Sequence, residues 1–78
     1  RIHAARRQWK LALRVATAVV SAAPQRPSGW IHRSYTLHEL KRTAEAMTNL
    51  LPALDRFPKE PIIPYNLACY ACQLGELE

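Results

Sequence analysis

The sequence predicts an all-α fold of four helices, and three observations support that prediction. Apolar residues recur at spacings of three and four in several segments, which is the periodicity of an amphipathic helix. Proline-rich breaks separate those segments. The sequence also partly repeats itself, since Ala12 recurs as Ala46 and Pro24 as Pro58, each 34 residues later. A period of this length is typical of stacked helix-turn-helix units.

Length and composition indicate one small domain. The chain has 78 residues, of which 49% are hydrophobic and 22% charged, a balance typical of globular proteins. No apolar run approaches the roughly 18 residues that a membrane-spanning helix needs, and we find no secretory signal. The only cysteines, Cys69 and Cys72, are too close together to staple a domain. They favour reduced thiols and a cytoplasmic setting.

The net charge of +5 is unevenly distributed. Residues 1–42 contain nine Lys and Arg and a single acid, for a net charge of +8, whereas residues 43–78 contain two Lys and Arg and five acids, for a net charge of −3. Such polarity can steer an acidic partner to one end of the molecule. It can also pair the start of one molecule with the finish of another.

The first helix is predicted over residues 4–22. Its apolar stripe consists of Trp9, Ala12, Ala16, Val19 and Val20. On the opposite face four cations lie close together: Arg6, Arg7, Lys10 and Arg14. This basic patch has two interpretations, a solvated helix face or a surface that contacts an acidic protein or nucleic acid.

A break follows over residues 22–29, where Pro24 and Pro27 exclude a continuing helix and Ser28-Gly29 completes a turn. The second helix is predicted over residues 30–40. Its inward-facing residues are Trp30, Leu37 and Leu40.

The third helix is predicted over residues 43–57, with Thr43 as its cap. Pro52 lies inside it, so we expect a kink or a loosened turn there. The apolar residues of this helix are Ala46, Met47, Leu50, Ala53, Leu54 and Phe57.

A second break covers residues 57–61, and Pro64 suits the opening turn of a fourth helix that Gly75 ends. Short connections between consecutive helices predict two antiparallel hairpins.

The chain resembles tetratricopeptide repeat proteins. The residues that carry the resemblance form nearly one complete unit: Trp30, Ser34, Leu37, Ala46, Leu50, Ala53 and Pro58. The resemblance implies a right-handed α-α superhelix in one domain, residues 1–78. Residues 1–24 would be the second half of a repeat, residues 27–60 a complete repeat and residues 61–78 the first half of another.

Each end of such an arrangement presents a helix face that a neighbouring repeat would cover. We therefore expect either a piece of a longer solenoid or ends that pair between molecules, giving a homo-oligomer.

The resemblance also implies a peptide-binding groove lined by the second and fourth helices. The candidates on the second helix are Ile31, His32, Tyr35, His38 and Glu39. Those on the fourth helix are Tyr65, Asn66, Cys69, Cys72 and Gln73. The family often uses an asparagine at the position of Asn66 to hydrogen-bond a ligand backbone, since an amide both donates and accepts. The other interpretation of Asn66 is a capping or solvated residue.

Neither a metal site nor a catalytic site is predicted. Cys69 and Cys72 could share one helix face, but zinc requires four ligands, and His32 and His38 lie on different faces. We interpret the thiols as small buried or groove-wall groups. We find no nucleophile elbow and no glycine-rich phosphate loop. We expect no cofactor and no enzymatic activity.

The predicted function is a non-catalytic protein–protein interaction scaffold that binds a peptide or helix. One alternative is the binding of nucleic acid or an acidic partner through the basic patch, although its only aromatic neighbour is Trp9, which we expect to be buried. Another alternative is a structural spacer or self-association module.

Overall fold

The structure, a computed structural model, describes the backbone of residues 2–76 and the side chains of residues 7–75. Over this part of the chain it contains helices and no strand, which confirms the all-α prediction. The four helices are α1 (Ile2–Ala22), α2 (Pro27–Glu39), α3 (Thr43–Arg56) and α4 (Ile62–Glu76). None of the four is both long and apolar enough to span a bilayer.

Each helix packs against the next one along the chain, and α2 also contacts α4. In the α1–α2 pair, Gly29 lies against Val20, while Tyr35 contacts Trp9. Residues further along α2 therefore meet residues earlier in α1, so the two helices are antiparallel. The short turns between consecutive helices produce this arrangement.

The core lies around α2, α3 and α4. On α3 the residues Ala46, Leu50 and Ala53 are fully buried, as the apolar periodicity predicts. Leu54 was predicted to face inward as well, but 38% of it is exposed. The prediction is wrong because at about 100° per residue Leu54 falls at the edge of the buried stripe, whereas the other three lie near its centre.

The start of α2 differs from the prediction. The helix begins at Pro27 and not near Trp30, because proline at the first helical position lacks only an N–H that has no partner there. Ser28 and Gly29 are therefore helical and do not form a turn. Gly29 is buried against α1, where a Cβ atom would lie 2.9 Å from Val19 Cγ1. Glycine thus permits the close approach of α1 and α2.

The turn between α2 and α3 also differs from the prediction. Thr43 does not cap α3; the capping position is Arg42, whose side chain makes no capping hydrogen bond. Lys41 adopts a left-handed backbone with φ of 65°, a conformation that costs a residue with a Cβ atom about 1 kcal/mol or more. Leu40, predicted to face inward, is half-buried at the end of α2.

Prolines and a glycine lie within the last two helices. Pro52 lies inside α3, as predicted, and the kink or loosened turn expected there stays a prediction. Pro64 lies in the first turn of α4, as predicted, but α4 begins at Ile62. Gly75 does not end α4: it is helical and has no positive φ.

Candidate functional site

Four aromatic side chains form a row across three helices, and we call this set the aromatic row. It runs from Trp9 on α1 through Tyr35 and His38 on α2 to Tyr70 on α4. The ring centroids are 6.0, 6.5 and 5.2 Å apart in that order. The first contact is edge-to-face, a geometry that aromatic pairs favour. Trp9, which was expected to be buried, is half-buried at one end of the row.

Tyr70 joins α4 to α2 at the other end of the row. Its side chain is buried, and its hydroxyl lies 3.3 Å from Ser34 Oγ. Ser34 uses its single hydroxyl proton to donate to the carbonyl oxygen of Ile31, 2.9 Å away. Tyr70 is therefore the donor in the bond to Ser34. Sequence analysis missed Tyr70, although it follows Ile63 and Leu67, which are also buried, at helical spacings of four and three.

The surroundings of Tyr70 contain several of the predicted groove residues. Burial raises the pKa of the Tyr70 hydroxyl, and the nearby Cys69, Tyr35 and Glu39 raise that pKa further. His38 stacks on the Tyr70 ring. The structure thus brings Tyr35, His38, Glu39 and Cys69 together around one buried tyrosine.

His38 is held in place by the residue that was predicted to cap α3. Its Nδ1 atom lies 3.1 Å from Thr43 Oγ1, and the imidazole is half-buried. This bond limits rotation of the ring, and the contacts with Tyr35 and Tyr70 flank it on either side. The centre of the aromatic row is therefore largely fixed before any ligand arrives.

The remaining groove candidates lie at the margins of the aromatic row or away from it. On α4, Tyr65, Cys72 and Gln73 are exposed, and Asn66 is half-buried. The cysteines are free thiols at the surface, so of the two predicted positions, buried or on the groove wall, the buried one is wrong and the groove wall stays a prediction. His32 points to a different surface, described next, and Ile31 is half-buried beside the core.

A cleft of about 430 Å³ separates α1 from part of α2, and we call it the α1–α2 cleft. On α1 it is lined by Ala12, Val15, Ala16 and Val19. On α2 it is lined by Ser28, Gly29, His32 and Thr36. The Thr36 hydroxyl donates to the carbonyl oxygen of His32 at 2.7 Å, so the wall there presents few free polar groups. Val15 is nevertheless 63% exposed.

Two arginines pack on the indole of Trp30, which is buried in the core. The guanidinium carbons of Arg33 and Arg56 lie 5.1 and 5.6 Å from the centroid of the Trp30 ring, within cation–π range. Arg33 Nη2 also donates to the carbonyl oxygen of Asn49 at 3.2 Å. Burial lowers the pKa of Arg33, and its buried Nε atom has no hydrogen-bond partner among the residues that the structure describes. Arg33 therefore links α2 to α3.

The cations of the basic patch lie on the surface of α1. Arg7, Lys10 and Arg14 are exposed, whereas the side chain of Arg6 lies outside the described residues. Within residues 7–75 the ion pair between Arg42 and Glu45, with Nε and Oε1 2.7 Å apart, is the only one. Across the same residues, no three His, Cys, Asp or Glu side chains are placed to hold a metal ion.

Comparisons of the chain with protein-family models, with curated proteins and with solved structures gave no match. The function therefore has to be argued from the surfaces of this molecule. Two features are candidates for binding a partner, the aromatic row and the α1–α2 cleft. They share no residue.

Proposed function

We propose that this chain is a non-catalytic protein-interaction module with a tetratricopeptide-like arrangement of helices. It binds a peptide or helix of a partner protein along the aromatic row. The observation that supports this function best is the row itself, in which the accessible rings of Trp9, Tyr35 and His38 form one continuous set with the buried Tyr70. Tyrosine and tryptophan dominate the binding energy of many protein interfaces, because each combines a large apolar area with a polar tip.

The tetratricopeptide-like arrangement is supported by residues that are 34 positions apart and equally buried. Both members are buried in three such pairs: Ala16 with Leu50, Gly29 with Ile63, and Thr36 with Tyr70. A stack of equivalent helix-turn-helix units places equivalent residues in equivalent surroundings. The 34-residue recurrence in the sequence thus has a counterpart in the packing at these three pairs, whereas Val20, Trp30, Ser34 and Leu37 are buried and their counterparts are exposed.

The row is suited to binding because its centre is already ordered. The Tyr70 hydroxyl is bonded to Ser34 and the His38 ring to Thr43, so neither side chain has to lose much rotational freedom when a ligand arrives. Such preorganisation lowers the entropic cost of association. Asn66 lies one helical turn before Tyr70 on α4 and is half-buried. Its amide can both donate to and accept from an extended peptide.

A random peptide library displayed against the purified chain tests this function. Tyr35→Ala removes a central ring of the row, and we expect the Kd of the selected peptides to rise at least about tenfold, which is about 1.4 kcal/mol. Leu51→Ala is the matched control, because Leu51 is exposed on α3 to almost the same extent as Tyr35, 46% against 48%. Selected peptides that bind Tyr35→Ala as tightly as the native chain contradict the proposal.

Asn66→Ala sharpens the same experiment. Because Asn66 is half-buried and outside the core, we expect its truncation to weaken peptide binding while leaving the thermal midpoint nearly unchanged. Circular dichroism melts provide the stability readout. If Asn66→Ala does not change the peptide affinity, the peptide-binding site consists of the aromatic row without Asn66.

The basic patch supports a second candidate function, the binding of nucleic acid or an acidic protein. Arg7, Lys10 and Arg14 are exposed on one helix, and no described acidic side chain lies within ion-pair distance of them. Cations arranged in this way contact phosphates without reading sequence. Mixed-sequence RNA whose binding persists at physiological salt and is lost in Lys10→Glu favours this candidate. Binding that collapses with salt indicates only a nonspecific surface.

A further inference from the structure

Most of the residues that line the α1–α2 cleft correspond, at a distance of 34 positions, to residues of α3 and α4 that other helices cover. On α3, Ala46, Leu50 and Ala53 are fully buried where α3 packs against α2 and α4. Subtracting 34 from these positions gives Ala12, Ala16 and Val19. All three line the cleft.

The same 34-residue correspondence holds for the residues of α2 that line the cleft. Adding 34 to Gly29, His32 and Thr36 gives Ile63, Asn66 and Tyr70 on α4. Tyr70 is a direct contact of α4 with α2, because its hydroxyl bonds to Ser34. The cleft is thus the equivalent of the surface of α3 and α4 on which α2 lies.

Two apolar residues of the α1–α2 cleft are exposed, so no described helix covers the cleft. Val15 and Val19 are 63% and 39% exposed, whereas Ala53, the counterpart of Val19, is fully buried. Leu11, one turn before Val15, is exposed as well. Apolar side chains grouped in this way beside a concave cleft are typical of a docking surface.

An exposed face of α4 has the properties of a helix that fits the cleft. The residues with which α2 meets the surface of α3 and α4 include Trp30, Ser34 and Leu37. Their counterparts on α4, 34 positions later, are Pro64, Ala68 and Ala71. All three counterparts are exposed. Residues 61–75 contain no charged residue, so this face can enter an apolar cleft without desolvating a charge.

The two segments of the sequence that contain the cleft and α4 carry opposite net charges. Residues 1–38, which include both walls of the cleft, contain seven Lys and Arg and no acid. Residues 60–78, which include α4, contain three acids and no Lys or Arg. Opposite charges of this kind steer association and fix orientation.

We infer that copies of this chain associate head to tail, with α4 of one copy lying in the α1–α2 cleft of the next. The interface is heterologous, because each copy contributes a different surface to its two neighbours, so the assembly extends into a filament or closes into a ring. The aromatic row is not part of either surface.

The test uses two variants that each block one surface. Val15→Arg places a charge in the cleft, and Ala68→Arg places one on the exposed face of α4; both positions are exposed, so we expect both variants to fold. Sedimentation velocity over a range of concentrations should show the native chain assembling beyond a dimer and each variant remaining a monomer. An equimolar mixture should form a 1:1 dimer, because Val15→Arg retains α4 and Ala68→Arg retains the cleft.

Thr17→Arg on α1 and Gln73→Arg on α4 are the matched controls. Both residues are exposed on the side of their helix opposite the proposed contact, so both variants should assemble like the native chain. Circular dichroism verifies folding, and Val15→Glu with Ala71→Glu replaces any variant that does not fold.

Three results overturn the inference. One is a native chain that stays monomeric at high micromolar concentration. Another is a mixture of the two blocked variants that does not form the dimer. The third is assembly that Val15→Arg abolishes and Ala68→Arg leaves intact, since the occupant of the cleft is then not α4.

Discussion

The helices α1 and α3 carry the same apolar pattern but bury it to different extents. In α3 the residues Ala46, Leu50 and Ala53 are all inaccessible to solvent. At the equivalent positions of α1, Ala16 is buried, whereas Ala12 is half-buried and Val19 is exposed. Periodicity thus dictates both helices, but packing against neighbouring helices determines how much of an apolar stripe becomes core.

The comparison also indicates where stability resides. Among residues 7–75, the core cluster contains three residues from α3 and three from α4, but only Val20 from α1. Segments with few buried apolar contacts open at lower free energy than the global unfolding of a protein. We therefore expect α1 to be the least protected of the four helices, and variants in the core to have the largest effects.

Trp30→Ala should have the largest effect on stability. Trp30 lies in the core, donates from Nε1 to the carbonyl oxygen of Pro24 at 3.0 Å and supports two arginines. We expect a loss of about 3–5 kcal/mol in the free energy of unfolding. Urea denaturation measures it, and Trp9→Ala, at a half-buried position, should cost less. Equal losses of stability in the two variants would contradict the contrast between the core and α1.

A matched pair of glycine variants tests the packing of α1 on α2. In Gly29→Ala the new Cβ would meet Val19 Cγ1 at 2.9 Å and the backbone nitrogen of Val20 at 3.2 Å, so we expect a loss of about 1–3 kcal/mol. Gly75→Ala, also helical, meets nothing within 4 Å and should gain about 0.5–1 kcal/mol. Thermal melts of both variants reveal the signs. A stabilising Gly29→Ala would show that α1 is free to move away from α2.

Tyr70→Phe tests the link between α4 and α2. Its expected cost near neutral pH is about 0.5–1.5 kcal/mol, because the bond to Ser34 is lost. The native pKa of Tyr70 is raised above its ordinary value of 10.0. The folded state therefore holds this proton more tightly than the unfolded state, and the resulting stability is present below pH 10 and lost as the pH rises through the native pKa.

The pH dependence provides a control that is independent of the bond itself. Denaturation measured at pH 8 and again above pH 10 should show a smaller alkaline loss of stability in Tyr70→Phe than in the native chain, because the variant has no proton to lose at this position. Identical alkaline losses would mean that the pKa of Tyr70 is the same in the folded and unfolded states.

Lys41→Gly should have the smallest effect, and it should be stabilising. Lys41 has a φ of 65°, which glycine adopts without strain, so we expect a gain of about 0.5–1 kcal/mol after the greater freedom of glycine in the unfolded chain is counted. Lys10→Gly, inside α1, is the control and should lose about 1 kcal/mol. A destabilised Lys41→Gly would mean that the α2–α3 turn does not strain Lys41.

Much of the fold follows from the sequence, because helix existence is encoded locally. Apolar spacing and proline breaks predict all four helices, but not where two of them begin. Pro27 starts α2 inside the segment that was predicted as the first break, whereas Ile62 starts α4 directly after the second break and two residues before Pro64. A proline that ends one helix and a proline that opens the next look alike in sequence, and only the structure distinguishes them.

The candidate site was predictable only in part. Tyr35, His38, Glu39 and Cys69 were predicted as groove residues, and the structure brings them together. Tyr70 was missed, although Ile63, Leu67 and Tyr70 follow one another at helical spacing. What local patterns do not detect is its hydrogen bond to Ser34, which joins residues 36 positions apart.

The most direct test of the proposed function is to map a library-selected peptide on the chain by NMR chemical-shift perturbation. The account predicts that the largest shifts cluster at Tyr35, His38 and Tyr70 and are lost in Tyr35→Ala, while Leu51→Ala retains them. Shifts that cluster instead at Val15 and Val19 in the α1–α2 cleft, or along Arg7, Lys10 and Arg14, would contradict it.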